Sequence, residues 1–132
     1  MKLLNNVAMT TYNLIKKAMD VTTKSEKVIN NNIANFNTKN YKRHYVNFDE
    51  ALKSEISQDV MKKTDGKHLG IKSSNDIQVK TDKSSSMRKD GNNVNVESEM
   101  TSMAANSLMY DALVKQANTR FNMRSAVIKG GV

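Results

Sequence analysis

Along the first part of the chain, apolar and small residues return every three or four positions. Leu4, Val7, Thr11, Leu14, Ala18, Val21, Ser25, Val28 and Asn32 make one row, and Ala8, Ile15, Thr22 and Ile29 lie beside it. That spacing puts them on one face of a helix and predicts an amphipathic helix from about residue 4 to about residue 35. The C-terminal pattern is stricter. Val96, Met100, Met103, Ser107, Tyr110, Val114, Ala117, Phe121, Arg124 and Ile128 alternate by four and three, with Ala105, Leu108, Ala112, Thr119 and Ala126 widening the stripe. Asn95 is suited to cap this helix, Glu97 and Glu99 stand near its positive end, and Arg124 and Lys129 stand near its negative end. Gly130-Gly131 should stop it. A helix over 96–128 would be about 50 Å long.

Seams sustained over four heptads favour a rod-like pair over a ball. Periodicity alone leaves two uses open: an antiparallel hairpin that buries its own seams, or stripes that also pack on other subunits. In both, Val96, Met100, Met103, Tyr110, Val114, Ala117, Phe121 and Ile128 are the helix-seam packing positions. Between the helices, residues 53–92 are polar and weakly patterned. Leu69, Ile71, Ile77 and Val79 can form short extended pieces, and "KTDKSSSMRKDG" reads as loop or disorder. The fold class is therefore mainly α, with two long amphipathic terminal helices forming a coiled-coil-like rod and a polar middle, partly disordered or short-stranded. The expected divisions are an N-terminal helix with an Asn-rich signature over 1–37, a turn, extended segment and flexible middle over 38–92, and a C-terminal helix over 93–132.

Composition sharpens this picture. The chain has 132 residues and is 38% hydrophobic, below the usual share for globular domains, so a self-sufficient compact core is not the expectation. It has no Cys, which excludes disulfides, thiolate metal sites and a Cys nucleophile. A net charge of +8 first suggests nucleic acid or an anionic membrane. The excess is spread thinly, however, and the densest basic run is only Lys42-Arg43-His44. A basic helical nucleic-acid-binding or membrane-surface module is the alternative reading, marked by affinity that falls steeply with salt. Asn5 and Asn6 interrupt the N-terminus before an apolar core of a signal peptide forms, and no run is long enough to span a membrane. Any exit from the cytoplasm would need another route.

Catalytic constellations are missing from the pattern, and an enzyme is not expected. His44 and His68 lack metal-ligand spacing, and no phosphate-loop, dinucleotide or nucleophile-elbow motif occurs. Asp49 and Glu50 are adjacent and point to different faces. Asp111 reads as a solvated helix side chain, and Met100 and Met103 as seam residues. Neither a metal nor a cofactor is implied.

The most specific stretch is "NNIANFNTKNYKRHYVNFDEAL", residues 31–52. Asn hydrogen-bonds its own backbone and tolerates left-handed conformations, so Asn clusters suit helix ends. Asn35 and Asn37 can end the first helix, and Thr38-Lys39-Asn40-Tyr41 can follow as a tight turn that aims an extended segment.

"NNIANFNTKNYKR" resembles the N-terminal signature of the flagellar axial family of rod, hook and hook-associated proteins, roughly ANNIAN-x-NTPGYKR. "RKDGNNVNVESEM", with the long helix ending "IKGG", resembles the form found in the proximal-rod branch of that family. Residues 53–86 match only loosely, through His68-Leu69. Where the family has Pro-Gly, this chain has Lys39-Asn40, and Asn is the next-best residue for positive φ. The resemblance implies an assembly signature of Asn31, Asn32, Ile33, Ala34, Asn35, Asn37, Thr38 and Tyr41. It implies a structural subunit of the basal-body rod, exported through the flagellar type III apparatus without a cleaved signal and folding on assembly. The implied partners are other copies of the chain, other rod proteins, the basal adapter FliE and the export gate. It further implies that Phe48 and Leu52, in the Phe-x-x-x-hydrophobic form, are recognised by that gate. The alternative for this pair is packing on the rod's own helices.

Overall fold

The computed structural model describes residues 2–53, 76–86 and 88–130, with side chains from residue 10 onward. The fold is mainly helical. Helix α1 covers Lys2–Ala34, and helix α2 covers Val96–Ile128. Between them lie two three-residue strands, β1 (His44–Val46) and β2 (Val79–Thr81), and a helical segment at 48–53.

The stripe of α1 is the buried side of the molecule. Ile15, Ala18, Val21, Thr22, Val28, Ile29 and Asn32 are all buried, at the three-and-four spacing that the sequence shows. Small residues at the centre of that stripe, Ala18 and Thr22, let the two helix backbones approach. Thr22 and Thr23 return their hydroxyls to the Met19 carbonyl at 2.8 and 2.9 Å, so neither brings an unsatisfied donor to the seam.

The helices run antiparallel. Asn32 meets Glu99, Asn106 donates from Nδ2 to the Thr22 carbonyl at 3.0 Å, and Tyr12 stands edge-on to Phe121 with ring centroids 6.0 Å apart. The two helices thus close on each other within one chain, as a hairpin. That closure is partial. Val96, Met103, Val114 and Ala117 are half-buried, whereas Met100, Tyr110, Phe121 and Ile128 are exposed. The residues of α2 turned towards α1 include Glu99, Ser102, Asn106, Leu113 and Arg120, one position off the expected row at several turns.

Helix ends follow local chemistry. Asn95 caps α2 by accepting from the Ser98 N–H at 3.1 Å. At the other end Lys129 donates to the Ser125 carbonyl, and Gly130 takes φ +86, the left-handed step that ends the helix. Asn47 does the same for the 48–53 segment, accepting from the Glu50 N–H at 3.3 Å.

Strands β1 and β2 pair antiparallel in the register His44↔Thr81, Tyr45↔Lys80, Val46↔Val79. Val79 of the expected extended pieces is thus in a strand. Leu69 and Ile71, and His68 with them, lie outside the described residues.

Candidate assembly site

The Asn-rich corner begins where α1 runs out of hydrogen bonds. The Asn35 N–H is shared between the Asn31 and Asn32 carbonyls, at 3.1 and 3.2 Å, and its side chain donates to the Asn31 carbonyl at 2.8 Å. A four-residue turn follows, closed by the Tyr41 N–H on the Thr38 carbonyl at 3.2 Å. Asn40 sits at its third position with φ +60, which is why the residue standing in place of Gly there is an Asn.

Asn32 holds the two strokes of the corner together. It is fully buried, and all of its amide is used. Its Nδ2 donates to the His44 carbonyl at 2.7 Å and to Glu99 Oε2 at 2.9 Å. Its Oδ1 accepts from the His44 N–H at 2.9 Å and the Tyr41 hydroxyl at 3.2 Å. One side chain therefore joins α1, the turn, β1 and α2.

Glu99 is the buried charge of this site, at 0% exposure, and its other oxygen takes Arg43 Nε at 2.5 Å. A buried carboxylate is tolerated because both oxygens are met by donors. Tyr41 responds to these surroundings. Burial first, and the Glu99 charge second, push its phenol above the ordinary tyrosine value. Its ring also stands edge-on to that of His44, and the Arg43 guanidinium lies 5.9 Å over the Tyr45 ring.

The second half of the site comes from "DGNN". Asn92, fully buried, donates to the carbonyls of Asn35 and Thr38, both at 2.9 Å, and accepts from the Val94 N–H at 2.8 Å. Asn93 Oδ1 accepts from the Arg43 N–H at 2.7 Å. The Asn40 N–H donates to the Asp90 carbonyl at 2.8 Å, and Arg88 spans to the Phe36 carbonyl at 2.8 Å. Gly91 lies against this turn with φ +76, where a Cβ would meet Asn40 Oδ1 at 2.7 Å. The angle favours Gly, and any side chain there would also have to push the Asn40 amide aside. At the edge, a backbone bond from Ser84 holds the Asp82 carboxyl below its usual range, helped by the Ser84 hydroxyl, Arg43 and Lys42.

Of the signature residues, the corner thus gathers Asn32, Asn35, Thr38 and Tyr41, with Ile33 half-buried beside them. Asn31, Ala34 and Asn37 point outward and are exposed. Phe48 and Leu52 are half-buried, one turn apart on the 48–53 segment, whose Glu50 makes an exposed ion pair with Lys80 at 2.6 Å. Sequence reasoning put Glu99 only at the helix dipole and gave Arg43 no role. The signal for Glu99 was available. It lies three residues after Val96 and four before Met103, a charge set on the packing stripe. Among the described residues no cluster of His, Cys, Asp or Glu could hold a metal, and no helix is long and apolar enough to cross a membrane.

Two long helices closed into a hairpin, with the corner stapled by buried amides, define a helical-hairpin protein. No protein-family model matches the chain. It is 36% identical over 107 residues to the flagellar basal body rod protein FlgB of Bacillus subtilis (strain 168), across 80% of this chain and 83% of that protein. The chain belongs to the FlgB family of flagellar basal body rod proteins.

Proposed function

We propose that the chain is a structural subunit of the proximal flagellar rod that assembles with copies of itself through its terminal helices. The observation that carries this reading is the apolar surface the hairpin leaves open. Met100, Leu108, Phe121, Met123, Val127 and Ile128 are each more than half exposed on one 33-residue helix. Apolar side chains left this exposed around a single helix favour burial against other chains. The action is stacking, with no turnover and no cofactor. The helical segments 1–37 and 93–132 supply the axial surfaces, and 38–92 is the insert between them. Further neighbours are other rod proteins and the adapter FliE at the base. The chain reaches the cell envelope through the flagellar type III gate, and Phe48 with Leu52 is the pair the gate grips.

Deletion of the gene tests the reading. Cells should lose motility and make neither hook nor filament, and the intact gene supplied in trans should restore both. Normal swimming in the deletion strain overturns it, and so would tight, steeply salt-dependent binding of the purified chain to duplex DNA.

A further inference from the structure

Near the open end of the hairpin, α1 and α2 part to form a groove of about 270 Å³. Tyr12, Ile15, Ala117 and Phe121 give it apolar walls, and Arg120 and Arg124 supply two cations one turn apart. Among the described residues no carboxylate lines it. Arg120 Nε is buried there without a hydrogen-bond partner, alone in this among the described side chains. A buried donor left unpaired is costly, and one on a guanidinium more so. Apolar walls beside an unpaired guanidinium N–H suit a carboxylate carried on an apolar helical surface.

The chain itself presents that surface. Asp111 is exposed and has no ion pair or hydrogen bond among the described residues. Beside it on α2 are Leu108, 72% exposed, and the exposed Ala104 and Ala112. Small residues around one large apolar side chain and one acid make a face that can enter a groove of this size. We infer that the groove of one copy receives the Leu108–Asp111 face of a second copy, with Asp111 pairing to Arg120. This inference rests on the self-assembly proposed above and names the contact.

Geometry fixes what such a contact builds. Nine residues separate Asp111 from Arg120, about two and a half helical turns, so they lie on opposite sides of α2. A copy cannot return the contact to the neighbour that gives it. The interface is head-to-tail, and a head-to-tail contact whose rotation does not close continues into an open array.

Cysteine cross-linking tests it, because the chain has no cysteine of its own. Asp111→Cys and Arg120→Cys are placed in separate copies and expressed together in a deletion strain, and isolated basal bodies are oxidised. A disulfide-linked dimer that requires both variants is expected. The two positions of one chain are about 13 Å apart along the helix, too far for a bridge within a copy. Swimming cells without the mixed dimer, or with Arg120→Cys captured by a different rod protein, overturn the contact and leave the rod reading intact. If the cysteine variants do not assemble, charge exchange decides. Arg120→Glu and Asp111→Arg should each weaken subunit association at least about tenfold, and the exchange in one chain should recover most of it. Failure of the exchange to recover it, with monomer helicity unchanged, overturns the contact. If the unmodified chain builds no rod, the proposed function falls first.

Discussion

At the scale of single residues, the corner depends on groups whose polar atoms are all spoken for. Asn32→Ala strands the His44 amide, the Tyr41 hydroxyl and one oxygen of Glu99 at once, and should cost about 3 kcal/mol in a urea titration followed by tyrosine fluorescence. Asn32→Asp is the more diagnostic change. It sets a second carboxylate against buried Glu99, so its destabilisation should be large at pH 7 and shrink as acid neutralises one of the pair. A loss that stays flat between pH 7 and pH 4 would show that charge at this contact does not matter. The alkaline side has its own sign. Burial and Glu99 raise the Tyr41 pKa, and the bond to Glu50 raises that of Lys80. A folded pKa above the unfolded one gives stability that is complete below the unfolded value. That stability is lost as pH climbs through the folded value. Unfolding midpoints should therefore hold to about pH 10 and fall beyond it, and Tyr41→Phe should blunt part of the fall.

At the scale of elements, the turn and the helices pull in different directions. Lys39 precedes a positive-φ Asn, and its N–H makes no hydrogen bond among the described residues. Lys39→Pro should then stiffen the turn and raise stability by about 0.5 kcal/mol, read from the same titration. Gly91→Ala should cost about 2 kcal/mol, since it combines left-handed strain with the approach of Asn40. The helices are less secure on their own. A pair of 33-residue helices closed on only part of their apolar surface relies on further packing for the rest of its order. Circular dichroism of dilute monomer should show frayed helices, with helicity rising as concentration does. A fully helical monomer that melts cooperatively and independently of concentration would count against assembly-driven folding.

At the scale of the whole molecule, the proposed export pair and the proposed packing seam can each be tested by its effect on export or assembly. Phe48 and Leu52 are half-buried in the folded chain, so a groove could take both side chains fully only when the segment is released. Replacing both with Ala should leave protein accumulating in the cytoplasm while secreted protein falls. Export at the normal rate with no rods built would assign the pair to packing instead. On α2, Val114 is half-buried, and Phe121, a heptad further on, is exposed. Val114→Asp should block rod assembly, because the charge would have no partner in the seam. Normal swimming by that variant would show that the seam lies elsewhere.

Two kinds of information separate along this chain. Helix extents were legible in the sequence because they rest on local causes: a periodic stripe, Asn95 as cap, and Gly130 as stop. The turn at Lys39-Asn40 was legible for the same reason, since positive φ belongs to few residue types. The union of the two motifs was not. Asn32 and Glu99 are 67 residues apart, and nothing in either neighbourhood names the other. The rotation of α2 was equally hidden. A wide apolar stripe fits several orientations, and the buried amide of Asn32 and carboxylate of Glu99 must be paired in the one adopted. Polar satisfaction across the corner set that register, and hydrophobic periodicity could not.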